Sequence, residues 1–172
     1  MVDANQAWTL TDAQANAARL AEYPINWLEE PMLATTPNED WQALARSAKI
    51  SLAAGENLAS QTSFDDAIRG DWLTFIQPDV CKWGGISRCL PIAQDALTAG
   101  KILCPHFPGT GIGLAASAHL LAAVGGPGML EIDSNPNALR DDYFALPVSN
   151  GTITLTDEPG LGIAVQPSLM AD

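Results

Sequence analysis

The sequence predicts an α/β protein, an incomplete (β/α)8 barrel of the TIM type, and three observations carry that prediction. Short apolar runs alternate with helical patterns along the chain, which is the signature of a parallel sheet with helical crossovers. The runs are apolar throughout, as expected of strands covered on both faces. At the C-terminal end of each run stands an ionisable residue: Asp3, Glu29, Glu56, Asp79, His106 and Glu131, at successive spacings of 26, 27, 23, 27 and 25. In a (β/α)8 barrel such strand ends converge on one mouth, where active sites sit.

The elements follow in order. Met1-Val2 leads into Asp3 as a strand. "TLTDAQANAARLAEY" has apolar positions at helical spacing, with Thr11 as the expected N-cap. "INWLEE" is the next strand. In "TTPNEDWQALARSAK", Thr36 as N-cap, Pro37 at the first helical position and Glu39 at the third make a capping box. "ISLAAGEN" is a strand, and "SFDDAIRG" a short helix capped by Ser63. "LTFIQPD" is a strand, followed by a helix over "ISRCLPIAQDALTAG" that Gly100 closes. "KILCPH" is a strand. "GLAASAHLLAAVGG" is an apolar helix closed by Gly125 and Gly126, and "MLEID" is the last strand.

Six such units fall two short of eight, in a barrel that usually takes ~250 residues. The chain opens inside a strand, so the two absent strands are expected at the front. It reads as the C-terminal part of a larger enzyme, with a partial barrel over residues 1–139 and a tail over 140–172. Such an arc would leave its first and last strands as open edges. A doubly wound sheet lacks support, because no GxGxxG follows the first strand. "GTGIGL" at 109–114 comes late and reads as a flexible turn before a helix.

The chain is 47% hydrophobic and 16% charged, which is a globular composition. Its net charge of −12 argues against nucleic acid and anionic membranes as partners and suits cation binding. The three cysteines, Cys81, Cys89 and Cys104, contain no CxxC and suggest free thiols in a reducing cytoplasm. There is no run of eighteen apolar residues.

"NWLEEPM" at 26–32 raises a sharper question, because an apolar strand stops at two adjacent acids, Glu29 and Glu30, before Pro31. Alternation sends the two side chains to opposite faces, and the residues alone do not say which one faces the mouth. His119 lies within a helix pattern, far from the strand ends, and reads as structural. So does Lys82, three residues past Asp79.

In order and spacing, "VDANQAW", "WLEEP", "GEN", "QPDVCKWGG", "PHFPG" and "LEIDSNPN" resemble the enolase superfamily, and its mandelate racemase subgroup in particular. The resemblance implies that Asp3, Glu29 and Glu56 are carboxylate ligands of one Mg²⁺ and converge on it, with Glu30 turned away. It implies that Asn5 helps hold the substrate and that His106 is a general acid/base oriented by Asp79. It also implies that a protonated Glu131 donates to the substrate carboxylate. An aspartate at position 79, where relatives in the muconate lactonising branch carry a lysine, points to the racemase branch. The implied activity is removal of the proton α to a carboxylate. Dehydration of an acid sugar is the favoured outcome, and racemisation or epimerisation the alternative. The family's Lys-x-Lys strand and N-terminal capping domain have no counterpart in this sequence. The chain alone is therefore expected to be inactive, a non-catalytic piece needing a complementary chain. The full-length form is expected to be a homo-oligomer.

Overall fold

Strand alternation decides which side of the sheet each strand residue takes, and here both faces carry buried apolar clusters. The computed structural model describes residues 1–163. β1 (Val2–Asp3), β2 (Trp27–Glu29), β3 (Ser51–Ala54), β4 (Phe75–Ile76) and β5 (Ile102–Leu103) form one parallel sheet in chain order. Helices α1 (Leu10–Leu20), α2 (Asn38–Ser47), α3 (Gln61–Arg69), α4 (Gly85–Thr98) and α5 (Gly111–Val124) follow the strands one by one. Leu28, Leu52, Ala54 and Ile76 face the helices and join Ala13, Trp41, Leu44, Phe64 and Ile92 in the main core. Trp27, Ala53, Phe75, Ile102 and Cys104 form a smaller cluster on the opposite face. Burial of the large side chains there and in the main core supplies the dominant stabilising term.

The register places the strand ends level. Asp3 pairs with Glu29, Glu29 with Ala53, Ala54 with Ile76, and Ile76 with Leu103. The second face borders an open pocket of about 380 Å³, lined at once by Met1, by Trp27, Glu29 and Gln77, and by Met129–Ile132. Gly55 lets the exit of β3 cross β4 closely. Its φ is +154°, and a Cβ there would lie 2.6 Å from the Gln77 backbone.

Several expectations need correction. The sheet has five strands, because residues 129–133 form no ladder. The Met129 N–H donates to the Cys104 thiol at 3.4 Å, and the Phe107 N–H donates to the Glu131 side chain at 2.8 Å. Side chains thus take the main-chain partners that a sixth strand would need. The N-cap of α1 is Thr9, not Thr11: Thr9 is extended and accepts from the Asp12 N–H while its hydroxyl donates to Asp12 Oδ2 at 2.7 Å. The capping box at Thr36 does not form; Pro37 is the N-cap of α2, with no side-chain cap bond. Ser60, not Ser63, caps α3 by accepting from the Ser63 N–H. Gly111 and Gly113 lie inside α5 in close packing, Gly111 under the Phe144 carbonyl and Gly113 under the Phe107 ring, so "GTGIGL" is constrained by contacts on both sides.

Beyond α5, a short α6 (Ala138–Asp141) and a hairpin of β6 (Val148–Ser149) and β7 (Thr152–Ile153) follow. This described part of the tail lies back on α5. His119 Nε2 donates to the Leu161 carbonyl at 3.3 Å, which places His119 in a structural contact. The tail expected over 140–172 has its last nine residues outside the described residues. Among the described residues no helix is long and apolar enough to cross a membrane.

Candidate active site

β4 and β5 are in register, so the residues beyond them come together on one side. Asp79, 3% exposed, and His106, 7% exposed, meet through His106 Nδ1 and Asp79 Oδ2 at 2.8 Å. Asp79 is fixed from behind, because its Oδ1 accepts the Cys81 N–H at 2.6 Å and the Lys82 N–H at 3.3 Å. Burial works to raise the Asp79 pKa, but the bonds from His106 and the Cys81 amide outweigh it and hold the carboxyl below its usual range. The other imidazole nitrogen, Nε2, contacts Glu56 Oε2. Burial works to lower the His106 pKa, yet the bonds to Asp79 and Glu56 and the charges of Glu56 and Glu131 push it up to about 9. Flanked by two carboxylates, the ring donates from both nitrogens and is an imidazolium.

The Asp3, Glu29 and Glu56 carboxylates stand at the same end of β1, β2 and β3, but they do not converge. Among the described residues no three His, Cys, Asp or Glu side chains lie close enough to hold a metal ion. Asp3 turns back on Asn5, accepting its backbone N–H at 2.8 Å and its amide at 3.4 Å. Glu29 accepts the Trp27 Nε1–H at 2.8 Å. Burial raises its pKa, with the nearby Asp3 and Glu131 charges adding and bonds to Gln77 and Trp27 opposing. Glu56 meets His106 and accepts Lys82 Nζ at 3.2 Å and the Asn57 amide at 2.7 Å. Burial works against its charge, but His106 and Lys82 bring its pKa down to about 2. The donor set still fits a hard divalent cation in type and placement: three carboxylates on neighbouring strand ends, with the buried Gln77 Oε1 beside them unpartnered. Convergence is what the structure lacks.

Glu30 lies just past the end of β2, is 2% exposed, and accepts the Asn57 amide. Burial first, and the charges of Glu56, Asp3 and Glu29, raise its pKa to about 7 against the bond from Asn57. Glu131 is exposed and accepts the Phe107 N–H at 2.8 Å on Oε2. Asn5 is exposed and tied to Asp3. The sequence reading missed two residues at the site, Lys82 and Asn57. Both lie inside the quoted "QPDVCKWGG" and "GEN" motifs, yet only their contacts with Glu56 single them out.

The family model for enolase C-terminal domain-like proteins matches residues 1–169. The chain belongs to the enolase superfamily. A mandelate racemase/muconate lactonizing enzyme from Bordetella bronchiseptica RB50 is similar over 98% of this enolase-superfamily chain and 48% of its own, with 44% identity and a TM-score of 0.90. A D-galactarolactone cycloisomerase of Agrobacterium fabrum is 32% identical over 96% of this chain and 46% of the relative. An arabinonate dehydratase of Saccharolobus solfataricus is 32% identical over 96% of this chain and 44% of the relative. The chain therefore spans about half the length of the relatives it matches.

Proposed function

We propose that this chain carries the acid/base and metal-binding part of an enzyme that removes the proton α to a substrate carboxylate, with Mg²⁺ as cofactor and dehydration of an acid sugar as the outcome. The reading rests most heavily on one observation: the buried Asp79–His106 pair at 2.8 Å, at the strand ends where three carboxylates also stand. His106 is the general acid/base, and Asp79 fixes its tautomer and orientation. Asp3, Glu29 and Glu56 would hold the cation, whose charge offsets the negative charge that develops when the α-proton leaves. Asn5 would help hold the substrate, and a protonated Glu131 would donate to its carboxylate. His106 would first lose its Nε2 proton as Glu56 turns from it to the cation; the neutral ring would then take the α-proton and pass it to a departing β-hydroxyl, so one residue can serve both halves of a dehydration. The five-stranded sheet is read as an arc of a (β/α)8 barrel, whose mouth collects these residues.

A second reading is isomerisation. It is favoured by cycloisomerase relatives at the same identity as the dehydratases and by the racemase-type neighbour at 44% identity. One experiment separates the readings. The chain, alone and fused to the remainder of the Bordetella protein, is incubated with Mg²⁺ and a panel of aldonates and aldarates in D₂O. α-Proton exchange is followed by NMR, and 2-keto acid formation by a carbonyl reagent. Exchange with keto acid supports dehydration, and exchange without it supports isomerisation. No exchange with any acid in the fusion overturns the proposal.

A further inference from the structure

The second acid of the doublet has a definite position. Glu30 is 2% exposed just past the end of β2, and its φ of +35° is unusual for a non-glycine residue. Its main chain ties neighbouring strands together: its carbonyl accepts the Gln6 N–H at 2.7 Å and its own N–H donates to Ala53 at 3.0 Å. Its carboxylate has one polar partner among the described residues, the Asn57 amide, at 2.7 Å. The same Asn57 nitrogen donates to Glu56 Oε1, also at 2.7 Å. Glu56 Oε2 is thereby left facing His106 Nε2. A buried carboxylate is costly where an apolar side chain would pack, and among the described residues only Asn57 bonds to this one.

We infer that Asn57, anchored by Glu30, is a positioning residue for Glu56: the amide bridges the two carboxylates and fixes which Glu56 oxygen is turned to the site. The inference rests on Glu56 being a cation ligand, but its geometry is independent of turnover. Outer partners of metal ligands set affinity by orienting the ligand, and losing one costs ~10–100-fold in affinity. The bridge needs a donor at 57 and an acceptor at 30, not a charge at 30.

The test uses the whole chain and two readouts, Mn²⁺ affinity by electron paramagnetic resonance and the ¹⁵N signal of His106 Nε2 in metal-free protein. Asn57→Ala should weaken Mn²⁺ binding ~10-fold and shift the His106 Nε2 signal as Glu56 loses its orientation. Glu30→Leu should do the same. Glu30→Gln keeps an acceptor oxygen and should stay within about twofold of the parent. Should Asn57→Ala not fold, the contrast between Leu and Gln at position 30 decides alone. Equal affinities and unchanged His106 signals in Asn57→Ala and Glu30→Leu overturn the inference. So does a Glu30→Gln variant as weak as Glu30→Leu. If the parent binds no Mn²⁺, the metal reading above fails, and the His106 signal still shows whether the bridge orients Glu56.

Discussion

The two halves of the candidate site are aligned by the same backbone but assembled differently. Beyond β4 and β5, Asp79 and His106 touch directly at 2.8 Å. Beyond β1, β2 and β3, three carboxylates reach the same end without meeting one another: Asp3 takes Asn5, Glu29 takes Trp27, and Glu56 takes Asn57, Lys82 and the far nitrogen of His106. Strand register is not the difference, since Asp3 and Glu29 pair in register. Charge is the difference. An imidazolium and a carboxylate attract and lock, whereas two carboxylates ~4 Å apart repel by about 4 kcal/mol at an effective dielectric of ~20. A parallel sheet can align ligands, but like charges close up only around a counter-charge.

The sharpest way to break this comparison is at His106. In a form that turns over substrate, His106→Asn should lower kcat by ~10²–10⁴ and leave Mn²⁺ affinity within a few fold. A turnover number unchanged by the substitution removes His106 from the chemistry.

The carboxylate half should respond most to a cation. Mg²⁺ at a hundred times its Kd should stabilise the fold by about 2.7 kcal/mol and raise Tm by roughly 5–10 °C. The double variant Glu29→Gln, Glu56→Gln should abolish that shift. A Tm indifferent to Mg²⁺ in the parent would show that the three carboxylates do not close on it.

Without metal, pH separates the groups. The folded pKa of His106, about 9, lies above its ordinary value of 6.5. Its contribution is complete below about 6.5 and lost as pH rises through about 9. Glu56, at about 2, lies below its ordinary value of 4.5. Its contribution is present above about 4.5 and lost as pH falls through about 2. Glu30, at about 7 against 4.5, favours the fold below about 4.5, and that gain is lost as pH rises through about 7. Urea midpoints should therefore fall from pH 4.5 to 9. Glu30→Gln should flatten the part below pH 7 and His106→Asn the part above. A midpoint constant over this range contradicts the assignment.

The smallest effect is expected at Trp27. Trp27→Phe removes the donor that holds Glu29 and should destabilise the metal-free protein by about 1.5 kcal/mol while tightening Mn²⁺ binding. Weaker binding would mean that the Trp27 bond orients Glu29 for the cation rather than away from it.

Much of this was legible in the residues. The βα alternation fixed five parallel strands in chain order because strands covered on both faces must be apolar and short, and such patterns survive in sequence. The polar residues at their ends marked one side of the sheet for the same reason. Helix starts were less legible. Thr9 and Thr11 are both good caps, and Thr9 wins because Asp12 reciprocates its bond. The strand expected at 129–133 failed for a similar reason, since a thiol and a carboxylate took up main-chain N–H groups that no periodicity reports on.

By itself the sequence determined the fold class, the family and the pairing of Asp79 with His106, because these follow from local patterning and from residues spaced by one βα unit. Tertiary structure decided which partners each acid takes. Glu29 takes Trp27, Glu30 takes Asn57, and Lys82 comes to Glu56 from 26 residues away. Such choices depend on burial, on competing donors and on the sum of neighbouring charges. Those quantities exist only once distant segments share the same few ångströms.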